Sequence, residues 1–256
     1  AADVVKSLTA EKRQNQPRAI TDKEHSDARR LAIPLYWVAA DDLPPDASDS
    51  LLGFFRITSP TNHRTFVATV LPPVGAGDSV FLIRAEGISC IEACVNSFLF
   101  DFIARQKLAG LNMLFYIVKQ LPVIEPQIFD LQTPWAVVTP LRDWVNRRVV
   151  ELNYTADDLA DFAGSLGFEC APFRWDETRR EHLRAELDAA FFHLYGIERD
   201  DVDYIMETFP IVKRKDLAAY GEYRTKRLIL EIYDAMVEAE AAGMAYVSPF
   251  DEASKQ

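Results

Sequence analysis

The segment from Gly87 to Gly110 constrains the fold of this chain more than any other part of the sequence. Its large apolar residues recur at the spacing that places side chains on one face of a helix: Ile91, Val95, Phe98, Leu99 and Phe102. The sequence therefore predicts one helix that runs through this segment and ends near Gly110. Such a face needs an apolar surface to cover, and the preceding segments are expected to supply it.

We expect extended structure in the residues that precede this helix. The residues from Arg56 to Pro72 predict two short strands around a polar turn, Thr58–Arg64, and Ser79–Ala85 predicts another strand. Short strands followed by helices are typical of an α+β protein in which a helix covers one face of the sheet. We therefore predict that the apolar face of the helix packs on these strands.

A Pro-containing passage, Leu121–Pro140, separates this part from a charged remainder with helical periodicity. We place a domain boundary within it and predict three regions. These are a polar N-terminal segment or linker over 1–33, an α+β domain with a small mixed sheet over 34–134, and a mostly helical domain over 135–256. The longest predicted helix runs from about Asp216 to Ala242, with Gly221 as its weakest position.

The composition limits the classes of function. With a formal net charge of −11, the 256-residue chain cannot present a surface that is basic all round, so any nucleic-acid face must be local. No run of about 18 or more apolar residues occurs, and no membrane partner is predicted. The three cysteines, without any other sign of a disulfide framework, fit a cytoplasmic protein.

Two consecutive segments read RITSPTNHRTFVATVLP (Arg56–Pro72) and NSFLFDFIARQKLAGLNMLFYIVKQLPVI (Asn96–Ile124). A third reads RWDETRREHLRAELDAAFFHLYGIERDDVDYIMETFPIVKRKDLAAYGEYRTKRLILEIYDAM (Arg174–Met236). In this order they resemble the carboxyl-terminal, target-recognition part of bacterial adenine-specific DNA methyltransferases, especially the large enzymes that combine methylation with restriction. The resemblance implies that this chain selects the DNA site, while an upstream part of the same parent protein binds S-adenosylmethionine and flips the adenine.

The motifs that such a catalytic part needs are missing from the chain. Both Pro-Pro pairs, Leu43-Pro44-Pro45-Asp46 and Leu71-Pro72-Pro73-Val74, have leucine where methyltransferases of this group carry a polar residue. The sequence also lacks the Glu-x-Lys pair of metal-dependent nucleases and a G-x-S-x-G elbow. We therefore predict no catalytic residue and no cofactor in this chain. Cys90 and Cys94, four residues apart on the predicted helix, are interpreted as buried packing residues rather than metal ligands.

The polar turn and the end of the predicted helix carry the candidate base-reading residues. Arginine side chains suit guanine O6 and N7, and asparagine side chains suit adenine N6 and N7. On this basis we predict six base-reading residues: Asn62, Arg64, Arg105, Gln106, Lys107 and Asn112. The alternative is that the turn residues have a conformational role and that Arg56 and Arg64 anchor the turn.

A basic segment from Lys213 to Arg227 holds six basic residues against two acidic ones, a local charge of +4. Lysine, arginine and tyrosine side chains are common partners of DNA phosphates. The predicted backbone contacts are Lys213, Arg214, Lys215, Tyr223, Arg224, Lys226 and Arg227. The alternative is an ordinary solvated helix face.

Together these patterns predict a DNA-recognition module whose partners are double-stranded DNA and the catalytic methyltransferase part of the parent protein. Two rival hypotheses remain at this point. The helical part is a non-catalytic protein-interaction module that docks on the parent enzyme, or the chain is an autonomous nuclease, which ranks last because no nuclease motif is present.

Overall fold

The structure is a computed structural model that describes residues 20–31, 39, 42, 50–136 and 139–250. The strands are β1 (Leu51–Phe55), β2 (Ala68–Leu71) and β3 (Val80–Ile83). The helices are α1 (Asp22–His25), α2 (Ile88–Val95), α3 (Phe98–Lys107), α4 (Phe115–Val118), α5 (Leu141–Asn153), α6 (Ala160–Ser165), α7 (Glu177–Leu194), α8 (Arg199–Glu207), α9 (Pro210–Tyr220) and α10 (Arg224–Ala242). Most of the predicted linker over 1–33 lies outside the described residues.

The three strands form one sheet in the order β2-β1-β3, and both strand pairs are antiparallel. The predicted α+β class is therefore confirmed, but the sheet formed by the described strands is antiparallel and not mixed. The physical reason lies in the connections. Neither the loop over 56–67 nor the loop over 72–79 contains the helix that usually carries a crossover between parallel strands.

The core lies between the sheet and the helices. On β1, Leu52 and Phe54 point to the buried face and are 0% and 1% exposed. The ring of Phe54 stacks on Phe66 at 5.2 Å, and Phe66 in turn meets Phe100 of α3 edge-on at 5.2 Å. Helix α2 packs on β1 and β2. The prediction that this helical segment covers the strands is thus confirmed.

The single helix predicted from Gly87 to Gly110 is wrong, because the chain breaks between α2 and α3. At the break, Asn96 pairs with the backbone of β2: its side chain accepts a hydrogen bond from Ala68 N at 3.0 Å and donates one to Ala68 O at 2.9 Å. Ser97 then caps α3 by accepting a hydrogen bond from Phe100 N at 3.2 Å. The long-range partner of Asn96 and the local cap of Ser97 together favour two shorter helices.

The long helix predicted from Asp216 to Ala242 is also two helices. Helix α9 begins with Pro210 at its first position and ends at Gly221, which is left-handed at φ 74°. Helix α10 follows and ends at Gly243, again left-handed at φ 62°. Gly221 therefore terminates a helix, because a left-handed backbone suits glycine better than any residue with a Cβ atom.

Helices α7 and α10 pack against each other, and both contact further helices. Helices α8 and α9 pack on α10, and α5 joins α7 to α2. One hydrophobic cluster contains residues from β1 through α10. Trp135, next to the predicted domain boundary, is 1% exposed and meets Trp144 edge-on at 5.4 Å. The division at residue 134 stays a prediction.

Candidate nucleic-acid interface

The polar turn and the end of α3 lie side by side, because Arg105 joins them. Its guanidinium donates hydrogen bonds to the carbonyl oxygens of Asn62 at 2.9 Å and His63 at 3.2 Å. The segment after α3 also reaches the turn, since Thr58 N donates to Leu111 O at 3.0 Å. The two segments that were predicted separately to read bases therefore form one surface.

A buried carboxylate organises the end of the turn. Asp101 is 0% exposed and accepts hydrogen bonds from Thr65 N at 2.8 Å and Phe66 N at 2.5 Å. It also forms an ion pair with Arg105 at 3.0 Å. The hydroxyl of Thr58 donates to Thr65 O at 2.6 Å and closes the base of the turn. Hydrogen bonds within the protein thus fix the conformation of the turn.

The six candidate base readers differ in their surroundings. The Arg64 guanidinium lies over the Phe98 ring at 3.8 Å and donates to Asn96 O. Arg105 lies over the Phe209 ring at 4.1 Å. These contacts match the anchoring alternative for Arg64, and they give Arg105 a similar anchoring role. The other four candidates have exposed side chains: Asn62, Gln106, Lys107 and Asn112.

Acidic residues of α8 neutralise part of the basic segment. Lys213 Nζ lies 2.6 Å from Glu207, and Lys226 Nζ lies 2.6 Å from Glu207 and 2.8 Å from Asp203. The hydrogen bonds from Lys213 and Lys226 lower the pKa of Glu207. These two predicted phosphate contacts therefore already have carboxylate partners within the protein.

Three further members of the basic segment also have partners. Arg227 forms ion pairs with Glu222 and Glu231, each at 2.9 Å. Arg224 lies 3.3 Å from Glu181, and the Tyr223 hydroxyl donates to Met206 O at 2.9 Å. The remaining two predicted contacts, Arg214 and Lys215, are exposed and form no ion pair with any residue that the structure describes.

Sequence reasoning missed these acidic partners. The pair between Arg227 and Glu231 has the four-residue helical spacing that sequence alone can recognise. The partners Glu181 and Asp203 come from other helices. No local pattern identifies them, because they meet the basic segment only after the helices pack.

A cleft of about 520 Å³ lies where the turn meets α7, α9 and α10. The turn contributes His63 and Arg64, the basic segment contributes Lys215 and Arg224, and α7 contributes Asp188. Partial burial, together with the positive charges of Lys215 and Arg64, lowers the pKa of His63. The ring of His63 is therefore uncharged at neutral pH.

The acidic groups of the cleft are committed to protein partners. Asp188 accepts a hydrogen bond from Phe98 N at 2.6 Å, and burial raises its pKa to about 6. Asp216 accepts a hydrogen bond from Thr225 N at 2.6 Å. Glu181 pairs with Arg224 and also accepts a hydrogen bond from the Tyr220 hydroxyl at 2.9 Å. The cleft thus has mixed charge, with Lys215 as an exposed cation at its edge.

Two of the three cysteines are packing residues, and Cys170 is exposed. Cys90 and Cys94 both lie on α2 and are 2% and 0% exposed, which confirms their interpretation as buried residues. Burial raises the pKa of the Cys90 thiol to about 11. Within the described ranges, no group of three or more His, Cys, Asp or Glu side chains is arranged to hold a metal ion. None of the described helices is both long and apolar enough to cross a membrane.

Comparison with known proteins identifies no relative of the chain. No protein-family model, no curated protein and no solved structure matches it.

Proposed function

We propose that the chain is a sequence-specific DNA-recognition module of an adenine-specific DNA methyltransferase or restriction-modification enzyme. One observation supports this function most. The polar turn and the basic segment, which lie far apart in the sequence and were each predicted to contact DNA, line the same cleft through His63, Arg64, Lys215 and Arg224. The catalytic part of the parent protein, with its S-adenosylmethionine, is the second partner in this proposal, and the cytoplasm is its location.

The surroundings of the candidate residues indicate which kind of contact each of them makes. Asn62, Gln106, Lys107 and Asn112 are exposed around the turn and read base edges. Arg64 and Arg105 hold the turn in place through their backbone and ring contacts. Arg214 and Lys215 have no competing ion pair within the described ranges, so they make the main phosphate contacts.

An exposed apolar surface favours a second function, docking on the catalytic part of the parent protein. Phe55 and Ile57 are 53% and 59% exposed, and Leu111 and Tyr116 are each 63% exposed. A backbone bridge between Ile57 and Asn112 brings the two segments together just beyond the end of β1. Exposed apolar groups of this kind mark interaction sites in many proteins.

The first test is selection of bound duplexes from a random-sequence pool, at low and at moderate salt. Enrichment of a short motif is the expected result, and replacing Asn62 with alanine should change that motif. Uniform, salt-labile binding would show that the chain only holds the DNA backbone. No binding, even when the catalytic part is attached, would overturn the proposal in favour of the docking function.

The second test separates free cations from paired ones. The variant Arg214→Ala/Lys215→Ala should weaken binding to all duplexes alike and reduce the slope of log K against log salt by roughly 0.9 for each phosphate that is no longer neutralised. The matched control is Lys226→Ala/Arg227→Ala. It also removes one lysine and one arginine, but these two residues are already paired with carboxylates. An equal reduction of affinity in both variants would contradict the assignment of the phosphate contacts to Arg214 and Lys215.

A further inference from the structure

A second cavity, of about 380 Å³, lies between β2, α2, α5 and α7. Its walls are largely apolar and include Phe66, Val149, Leu152 and Leu187. Small-molecule sites commonly have this character: roughly 300–1,000 Å³ of concave, mostly apolar space with a few polar groups. The polar groups of this cavity decide what it can hold.

The most unusual of them is Arg180. It is only 9% exposed, and its guanidinium lies over the Trp175 ring at 3.7 Å. Its Nε and Nη1 atoms are buried and have no hydrogen-bond partner in the part of the chain that the structure describes. Burial and the neighbouring charge of Arg184 lower its pKa to about 10. A buried guanidinium is normally paired, because an unpaired charge away from water is costly.

The carboxyl groups that line the cavity do not pair with Arg180. Glu92 accepts a hydrogen bond from Asn153 Nδ2 at 3.0 Å, and burial raises its pKa to about 8, so it is protonated at neutral pH. Asp188 accepts its hydrogen bond from Phe98 N. Among the described residues, neither carboxyl forms an ion pair with Arg180. Within the described ranges, the positive charge of Arg180 therefore has no counter-charge in direct contact.

A second guanidinium lines the same cavity. Arg64 Nη1 is buried and, like the two atoms of Arg180, has no hydrogen-bond partner among the described residues. Two arginines with unused donors suit an oxyanion, and arginine is well shaped to bind a carboxylate. A dianion such as phosphate fits less well than a single carboxylate, because Asp188, with a pKa of about 6, carries a negative charge at neutral pH and lines the same cavity.

We propose that this cavity binds a small organic carboxylate with an apolar body. The carboxylate accepts hydrogen bonds from Arg180, with Arg64 as the second donor, and the apolar body packs on Phe66 and Leu187. This ligand site goes beyond the proposed DNA recognition and does not depend on it, since none of the four exposed base-reading residues lines this cavity.

The test uses benzoate as the carboxylate probe, benzamide as its neutral counterpart and inorganic phosphate as the dianion. Isothermal titration calorimetry and thermal unfolding of the chain are measured with each probe in the absence of DNA. Benzoate should bind at one site and raise the unfolding temperature as its concentration rises. Benzamide and phosphate should bind at least about tenfold more weakly. Equal binding of benzoate and benzamide by the wild-type chain would overturn the proposal.

The variant Arg180→Met should bind benzoate at least about tenfold more weakly than the wild-type chain. Arg147→Met, which removes an exposed arginine of α5 outside the cavity, is the matched control and should bind benzoate like the wild type. Wild-type affinity in Arg180→Met would also overturn the proposal. If Arg180→Met does not fold, the comparison of benzoate with benzamide decides by itself, because it needs only the wild-type chain.

Discussion

Replacing Glu186 with leucine tests the most deeply buried ion pair in the described structure. Glu186 is 0% exposed and lies in α7, where Arg148 Nε of α5 donates to it at 2.6 Å. The Tyr246 hydroxyl donates to it at 2.9 Å, and His182 Nε2 lies 3.2 Å away. One carboxylate therefore connects α5, α7 and the chain after α10.

The expected decrease in stability follows from the arginine that stays buried after Glu186 is replaced. The Arg148 side chain is only 4% exposed, so removing its partner leaves a charge that water cannot reach. Its hydrogen bond to Trp144 O at 3.0 Å and its position over the Trp144 ring at 3.5 Å persist, but neither supplies a negative charge. Breaking such a buried pair costs about 3–5 kcal/mol of unfolding free energy. For a chain of this size, the unfolding temperature should fall by roughly 6–20 °C.

The measurement is urea and thermal unfolding followed by circular dichroism. Glu231→Leu is the matched control, because it removes another carboxylate that pairs with an arginine, but there the two side chains are 57% and 44% exposed. An exposed pair contributes less than about 1 kcal/mol. The double variant Arg148→Met/Glu186→Leu should lose less stability than the two single variants added together. A decrease in stability in Glu186→Leu no larger than in Glu231→Leu would refute the reasoning.

The effect also has a predicted pH dependence. Burial alone would raise the pKa of Glu186, but the hydrogen bond from His182 and the charge of Arg148 outweigh it and leave the pKa below the ordinary value of 4.5. The stabilisation by Glu186 is therefore fully present above pH 4.5 and is lost as the pH falls through the lower, folded-state pKa. The difference between wild type and Glu186→Leu should shrink in that acidic range.

Two further predictions concern buried polar groups. Burial raises the pKa of Glu92 from 4.5 to about 8, so the free energy of unfolding of the wild type should fall as the pH rises between these values. Urea unfolding at a series of pH values should show that Glu92→Gln removes this pH dependence. An unchanged pH dependence would contradict the raised pKa of Glu92. Arg105→Met should leave Asp101 without its cation and speed amide hydrogen exchange in the turn over 58–64. The control Lys107→Met, at an exposed position on the same helix, should leave that exchange as in the wild type.

Sequence periodicity predicted the parts of this fold that local spacing determines. The helical recurrence that includes Phe98 and Leu99 identified residues that are buried, at 5% and 3% exposure. The α+β class and the segments of β2 and β3 followed in the same way, whereas β1 lies ahead of the predicted segment Arg56–Pro72. The break at Asn96 was not predictable, because its amide partner is the backbone of Ala68, which only tertiary folding brings into place. The apolar periodicity of the sequence continues past Asn96, although the helix ends there.

The candidate interface shows the same limit in its charges. The charge of +4 between Lys213 and Arg227 belongs to a stretch of sequence, whereas a phosphate responds to the charges that surround it in space. In space, Glu207 holds two of the lysines, and Glu181 holds Arg224. Opening such partly exposed pairs costs little, but their carboxylates stay beside the cations and reduce the net positive charge that a phosphate meets. Recognition by this surface would therefore depend on its few unpaired groups and on the shape of the turn, more than on an overall attraction for the DNA backbone.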